Sequence, residues 1–310
     1  MTVLHGIVYV SAIIFIIAVA ARMVRTAKMP VHLRWELYPV PHEKGRASYG
    51  GSMLEEVDWW TKPQHKDEVS TMLFMIPEIL LLKGVWEHNR SLWFPSWALH
   101  FGLYLLIGDL GLLILGGILA AFGVTGGIIG LIAVVTTALA WAGTILGVVG
   151  AVLMLLRRLT DKNLKMFNSF SHFFNLLLIG GMCLTELVWV ATDPAYAYTA
   201  MGIFTGWVTG SSIPALSAMV YWHIGLVLVF MVYFPFTHMT HAFIKYFTWH
   251  SVRWEDTPNT PGSELSKKIG EMVSQKPTWA APHVNADGKK TWIDLVGETG
   301  APQKREEVKK

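Results

Sequence analysis

Residues 221–241 read YWHIGLVLVFMVYFPFTHMTH, an almost wholly apolar stretch that carries His223 and His241. The two histidines are 18 residues apart. In a continuous α-helix this spacing is about five turns, so both rings leave the same face, roughly 27 Å apart along the axis. That rise nearly spans a hydrocarbon core of about 30 Å. Because a polar ring in lipid is costly unless it is paired or ligated, the stretch predicts a functional membrane helix.

The composition of the whole chain is typical of a membrane protein. It has 310 residues, of which 53% are hydrophobic and 15% charged, and its mean hydropathy is +0.42. These values exclude a disordered chain and do not fit an ordinary soluble domain. Five apolar stretches are each long enough to cross a bilayer as a helix: 3–21, 97–122, 128–156, 170–192 and 216–247. The sequence therefore predicts an all-α membrane protein with five transmembrane helices.

The basic residues predict the orientation of these helices. All 25 lysines and arginines lie between the first two spans, just after the third span, or from Lys245 onward. The positive-inside rule assigns that side to the cytoplasm, so we expect the N-terminus outside and the C-terminus in the cytoplasm. No charge precedes the first stretch and its basic flank follows it. It therefore predicts an uncleaved span rather than a signal peptide.

Two longer segments lie outside the predicted spans. The connection 22–96 contains EVSTMLFMIPEILLLKGVWEHNR, where apolar residues recur at helical spacing, so we expect a surface helix over about 69–90. The tail 251–310 is polar and too poor in apolar residues for a core of its own. We therefore expect one membrane domain, 1–250, and an extended cytoplasmic tail, 251–310, that docks a partner.

The histidines are the candidate cofactor ligands. Cys183 is the only cysteine, so the chain alone cannot hold a cysteine-ligated iron–sulfur cluster or attach a c-type haem. His100 near the start of the second span and His241 near the end of the fifth are expected at one depth. Two histidines at one level are the axial ligands of a six-coordinate haem b; the alternative is hydrogen bonding at the interface. His172 and His238 lie on the same side, and the interface is the simpler explanation for both.

On the outer side, His223 lies about two turns below the predicted surface, and His5 is the other histidine there. A second haem held by His5 and His223 is geometrically allowed. The alternatives are that His5 lies in the outer interface, that Met182 or no residue is the second ligand, or that His223 hydrogen-bonds a quinone.

Two carboxylates are predicted within the spans. Asp109 lies well inside the second span, and Glu186 lies toward the outer end of the fourth. Buried carboxylates in a membrane are expensive and often mark proton paths. Asp109 is therefore the candidate for taking a proton from a quinol; the alternative is that it caps a ring N–H or bonds a neighbouring helix.

Proline and glycine predict where helices bend or approach each other. Pro235 interrupts the fifth span between its two histidines and is expected to bend it. Glycines recur in the second and third spans, among them Gly102, Gly143, Gly147 and Gly150. Small residues let helices pack closely, or leave room for a flat macrocycle.

These segments resemble one family, the membrane cytochrome b (gamma) subunit of respiratory nitrate reductase, with its relatives linked to sulfite reductase and heterodisulfide reductase. The matching features are the five spans, ALHFG around His100, LLRRL at 155–159 and the stretch from His223 to His241. EILLLKGVWEHNR, at 78–90, is more similar to the sulfite- and heterodisulfide-linked branch. The resemblance covers roughly residues 70–248.

The resemblance implies ligands for two haems. In the family the second and fifth spans each carry two ligating histidines, and His100 and His241 match the inner pair residue by residue. His223 matches an outer ligand, but Leu110 occupies the position of its partner. Because Leu110 cannot ligate iron, either the second haem is absent or its other ligand comes from another helix, such as the first span, where His5 lies.

The resemblance also implies a function within a complex. The expected cofactors are haem b and menaquinone, and the expected location is the prokaryotic cytoplasmic membrane. The expected partners are the bilayer, the quinone pool and a cytoplasmic iron–sulfur subunit like the catalytic heterodisulfide reductase subunit, with no nucleic acid. The rival interpretations are a redox-inactive membrane anchor and a transporter; five spans without an inverted repeat argue against the transporter.

Overall fold

The computed structural model describes residues 2–28, 57–58, 61–62, 68–244, 260–278 and 285–299. All regular structure in these ranges is helical. The chain divides into two compact units. The first consists of residues 1–21 and 73–240, and the second of residues 22–72 and 241–310.

Five helices of the described chain are long and apolar enough to cross a membrane, which confirms the prediction of an all-α protein with five such helices. Four of them are α1 (Val3–Ala27), α4 (Arg90–Ala121), α5 (Gly127–Thr160) and α7 (Phe170–Thr192). The fifth, Ala218–Phe236, consists of α9 (Ala218–Tyr233) and the 3₁₀ turn that follows it. The helix α4 begins seven residues before the predicted span because Asn89 caps it: the Asn89 side chain accepts a hydrogen bond from the Leu92 N–H at 3.2 Å.

One further helix, α8 (Tyr196–Thr209), lies between α7 and α9 and was not predicted. It packs against α4. The Thr205 hydroxyl donates to the carbonyl of Gly117 at 3.0 Å, and Met201 contributes to the buried core. The helix ends at Gly210, whose φ of 70° is the left-handed conformation that glycine adopts readily. Residues between the last two spans are therefore part of the core and not a simple connection.

The helices α4 and α5 approach each other at glycines. A Cβ atom added at Gly102 would lie 2.6 Å from the backbone nitrogen of Gly147 and 2.8 Å from the carbonyl oxygen of Gly143. A Cβ atom added at Gly150 would lie closer still to the backbone nitrogen of Leu99. Close helix packing therefore accounts for these glycines, which is the first of the two explanations that the sequence allowed.

The fifth span is not one continuous helix. The helix α9 ends at Tyr233, Phe234–Phe236 and His238–Thr240 are single 3₁₀ turns, and Thr237 between them is extended. Pro235 lacks an N–H and its ring clashes with the carbonyl four residues earlier, so an α-helix cannot run through it undisturbed. The expectation of five regular helical turns between His223 and His241 is therefore wrong, because the helix is interrupted.

Two predicted segments differ from the structure in detail. The surface helix predicted over 69–90 is divided into α2 (Glu68–Leu80) and α3 (Lys83–His88), because Leu82 adopts a left-handed conformation with φ of 50°. The tail predicted as extended contains two short helices, α10 (Glu264–Val273) and α11 (Trp292–Thr299). The Trp292 N–H donates to the Gln275 carbonyl at 3.1 Å, and Leu295 is buried. A few apolar side chains are therefore enough to pack short helices there.

Candidate functional site

His100 lies in α4, one turn after Ser96. Its Nδ1 is 2.7 Å from the carbonyl oxygen of Ser96. Because a carbonyl oxygen can only accept, Nδ1 carries the proton and donates it. In the neutral ring the lone pair is then on Nε2. A metal-ligating histidine usually has one nitrogen fixed in this way by a backbone carbonyl while the other bears the lone pair.

His223 in α9 has the same tautomer for a different reason. Its Nδ1 is 3.2 Å from the hydroxyl oxygen of Thr185 in α7. That hydroxyl has one proton, which it donates to the carbonyl oxygens of Gly181 at 2.8 Å and Met182 at 3.0 Å. Thr185 therefore accepts from His223, Nδ1 is the protonated nitrogen, and the lone pair is again on Nε2.

Two carboxyl groups meet at one phenol in the first unit. The Tyr196 hydroxyl in α8 is 3.0 Å from Oδ2 of Asp109 in α4 and 2.8 Å from Oε1 of Glu186 in α7. Asp109 is 1% exposed and Tyr196 2% exposed. Asp109 is thus bonded to a neighbouring helix, α8, as the alternative to proton transfer proposed. The same hydroxyl also contacts a second acid, Glu186, and proton transfer by Asp109 stays a prediction.

A single indole connects this carboxyl group pair to His223. The ring centroid of Trp189 in α7 is 4.8 Å from that of Tyr196 and 5.9 Å from that of His223. Thr185, Glu186 and Trp189 lie within one turn or so of α7, which explains how one helix reaches both sites. The structure therefore brings together Asp109, Glu186 and His223, which the sequence singled out separately.

The sequence analysis missed the two residues that make these connections, Tyr196 and Thr185. Tyr196 begins YAYTAMGIFTGWVT, an apolar stretch that ends at a glycine, and this pattern was a usable helix signal. No local pattern indicates that Thr185 accepts from a histidine 38 residues later.

His5 has the opposite tautomer. Its Nε2 is 3.0 Å from the carbonyl oxygen of Ser211, so Nε2 is the protonated nitrogen. The lone pair is then on Nδ1, which accepts from the Thr2 hydroxyl at 2.8 Å. His5 is fully buried. Ligation of a haem by His5 therefore stays a prediction, and it requires His5 to give up one of these hydrogen bonds.

His172 and His238 lie together in the first unit, with ring centroids 5.6 Å apart. Nδ1 of His172 accepts from the Ser169 N–H at 3.1 Å, which closes the capping box at the start of α7. The lone pair of His172 is therefore used in the cap. This local role agrees with the simpler, non-ligating interpretation of His172.

The predicted inner pair is divided between the two units. His100 belongs to the first, whereas His241 begins the second and is exposed, so their pairing stays a prediction. Leu110, which stands where the sequence resemblance predicts an outer haem ligand, is 46% exposed, while the adjacent Asp109 is buried. In this part of α4 the residue that faces the core is therefore Asp109, and Leu110 does not.

Some buried polar atoms have no hydrogen-bond partner among the described residues: Trp97 Nε1, Asp109 Oδ1, Asn175 Oδ1, Asn175 Nδ2 and Trp207 Nε1. Each such atom costs about 1–3 kcal/mol, and in native proteins it usually indicates a bound water, ion or ligand. Trp97 lies one turn before His100 in α4. The same part of the chain contains no group of three or more His, Cys, Asp or Glu that could hold a metal ion, but a haem needs only two axial ligands.

Comparisons with protein-family models, curated proteins and solved structures gave no match to this chain. The case for a function therefore depends on its own residues and on the resemblance of its motifs.

Proposed function

We propose that this chain is the haem b membrane subunit of a respiratory complex. It transfers electrons between menaquinol or menaquinone and a cytoplasmic iron–sulfur subunit resembling the catalytic heterodisulfide reductase subunit. The observation that carries the proposal is the shared tautomer of His100 and His223. Both rings are held through Nδ1 and have the lone pair on Nε2, as axial haem ligands require.

His100 and His241 are the proposed ligands of one haem, and His223 is a ligand of a second, with His5 as its proposed partner. When bound, haem supplies the one-electron chemistry that no side chain of this chain provides. The protein's part is to orient the rings. The Ser96 carbonyl and the Thr185 hydroxyl accept the Nδ1 protons, which fixes the ring planes and raises the basicity of Nε2.

The topology of the proposal follows from the distribution of basic residues. The N-terminus lies outside and the C-terminus in the cytoplasm of a prokaryotic cell, because all 25 lysines and arginines are on one side of the five spans. The connection 22–96 and the tail 251–310 then face the cytoplasm. These segments are the proposed docking surface for the iron–sulfur subunit.

The proposal is tested by the haem content of the complex purified from membranes. We expect b-type bands in a dithionite-reduced minus oxidised spectrum, and about one or two haems per chain, since two or four histidines are assigned as ligands. A complex that is purified with all its subunits, retains its fold and contains no haem would exclude the proposed function.

The alternative is a redox-inactive membrane anchor of such a complex, and a transporter is less well supported. The roles of His5 and His172 favour the anchor as the second candidate, because both rings serve hydrogen bonds within the protein. In an anchor, His241→Ala leaves the visible spectrum and quinol oxidation unchanged. Solute flux in liposomes containing this chain alone would instead support a transporter.

A further inference from the structure

The Tyr196 hydroxyl lies between the carboxyl groups of Asp109 and Glu186. A phenol has one proton, whereas the Tyr196 oxygen lies within hydrogen-bond distance of two carboxyl oxygens, at 3.0 and 2.8 Å. If both carboxyl groups are ionised, the two contacts share that single proton. If one carboxyl group is protonated, each contact has a proton of its own, and the three side chains hold two protons among three oxygens.

The sequence around these side chains favours the arrangement with one protonated carboxyl group. Residues 91–156 and 166–244, which contain all of the core around the three side chains, include no lysine or arginine. A carboxylate in an apolar interior is expensive unless a cation or a proton compensates it. Without a basic side chain in these stretches, a shared proton is the compensation that the chain itself allows.

One oxygen of the group is also available to an external donor. Asp109 Oδ1 is buried and has no hydrogen-bond partner among the described residues. A carboxyl oxygen in that position accepts from a hydroxyl group, which both water and a quinol carry. Asp109 is thus bonded to Tyr196 through Oδ2, and Oδ1 is the oxygen that can accept a hydrogen bond from water or a quinol.

We propose that Asp109, Tyr196 and Glu186 form a buried proton relay that passes one proton between α4 and α7. In the transfer, protonated Asp109 gives its proton to the phenol oxygen while the phenol gives its own proton to ionised Glu186. The O–H bond of Asp109 breaks, a new O–H bond forms on Tyr196 as the old one breaks, and an O–H bond forms on Glu186. No electron moves and Tyr196 remains a neutral phenol in both end states.

The position of the relay suits quinol chemistry. Trp189 contacts both the Tyr196 ring and the His223 ring, so one indole separates the relay from a proposed haem ligand. Oxidation of a quinol releases protons as well as electrons, and the two need separate paths. This use of the relay rests on the proposed function, whereas the relay itself does not require haem.

Infrared spectroscopy of the full-length chain in lipid nanodiscs at neutral pH tests the relay. We expect a C=O stretching band of a protonated carboxylic acid. Exchange into D₂O shifts the band if water is the hydroxyl donor, and addition of a reduced naphthoquinol shifts it if the quinol is the donor. Absence of the band, or a band that neither treatment changes, would overturn the relay.

Amide variants assign the band to these residues. In Asp109→Asn and in Glu186→Gln, the new amide supplies an N–H donor to the Tyr196 oxygen. The remaining carboxyl group then needs no proton, so we expect each variant to lose the band. Asp193→Asn is the matched control, because the Asp193 side chain accepts from the Trp189 indole at 3.1 Å and does not bond the Tyr196 hydroxyl. The Asp193 backbone carbonyl, which accepts from the Tyr196 N–H at 3.0 Å, is not altered by the substitution. A band retained in either amide variant would refute the shared proton. Because the spectrum is recorded with or without haem, its result is independent of the haem content.

Discussion

Replacing His100 with alanine is expected to remove about one haem b from each chain, because the proposed six-coordinate haem loses one of its two axial ligands. His241→Ala is expected to cause the same loss, since both residues are proposed to hold one iron. The measurement is the pyridine haemochrome content per chain of the complex purified from membranes. His100 is the stronger of the two assignments structurally, because its Nδ1 is held by the Ser96 carbonyl at 2.7 Å.

The double variant tests the pairing directly. If His100 and His241 bind the same haem, replacing both removes no more haem than replacing either, because residues that act on one ligand have non-additive effects. Additive losses would place the two histidines at different haems and would contradict the pairing. This test does not depend on the relative positions of the two residues in the apoprotein.

His172→Ala is the control for both variants. His172 lies near one end of its span, as His100 and His241 are predicted to do, but its Nδ1 lone pair accepts from the Ser169 N–H. We expect this variant to keep its haem and to lose only the helix cap, which typically contributes about 1 kcal/mol. Haem loss in His172→Ala equal to that in His100→Ala would show that the tautomer does not distinguish ligands from structural histidines.

Replacing Gly102 with alanine is expected to destabilise the chain strongly. The added Cβ would lie 2.6 Å from the backbone nitrogen of Gly147 and 2.8 Å from the Gly143 carbonyl oxygen. Backbone atoms cannot move aside as a flexible side chain does, so α4 and α5 have to separate. Overpacking of this kind costs about 1–3 kcal/mol or more, which exceeds the gain of about 1 kcal/mol in helix propensity from glycine to alanine.

Gly111→Ala provides the matched control in the same helix. Apart from the adjoining backbone of α4 itself, no atom of the described residues lies within 4 Å of a Cβ added at Gly111. The substitution is therefore expected to be neutral or to stabilise the chain by about 0.5–1 kcal/mol through the lower backbone entropy of alanine. The same chemical change thus has opposite signs at two positions of α4.

The unfolding of both variants can be followed at one atom. Cys183 is the only cysteine and is buried, so its reaction with a thiol-specific dye on heating reports the opening of the helix bundle. We expect a lower midpoint for Gly102→Ala and an unchanged or higher midpoint for Gly111→Ala. Equal midpoints in the two variants would contradict the close approach of α4 and α5 at Gly102.

The number of long helices was predictable because hydropathy is a local property. Each of the five spans can be recognised from the hydropathy of about 20 consecutive residues, independently of the helices that pack against it. Their ends were less predictable. With Asn89 as its cap, α4 begins seven residues before the predicted span. At Pro235 only a bend was predicted, whereas α9 ends just before it, at Tyr233. The missed helix α8 has 14 residues, too few to register as a span.

The candidate site was predictable only as a set of residue types. The sequence indicated that His100, His223, Asp109 and Glu186 are polar residues in apolar surroundings, and therefore costly unless they have partners. It did not indicate which nitrogen of each histidine carries the lone pair. The Ser96 carbonyl is one turn away in the same helix, but Thr185 and Ser211 come from other parts of the chain.

By itself, the sequence determined that the chain is helical and that five of its helices are long and apolar enough to cross a membrane. Only the tertiary structure decided that Asp109 and Glu186 share a phenol, because Tyr196 is 87 residues from the first and 10 from the second. Such contacts depend on how far each helix is rotated and how closely it packs. The rotation and the packing distance of a helix depend on its contacts with other helices, for example at Gly117, where the absence of a side chain lets α8 approach α4. They cannot be read from the sequence of one helix alone.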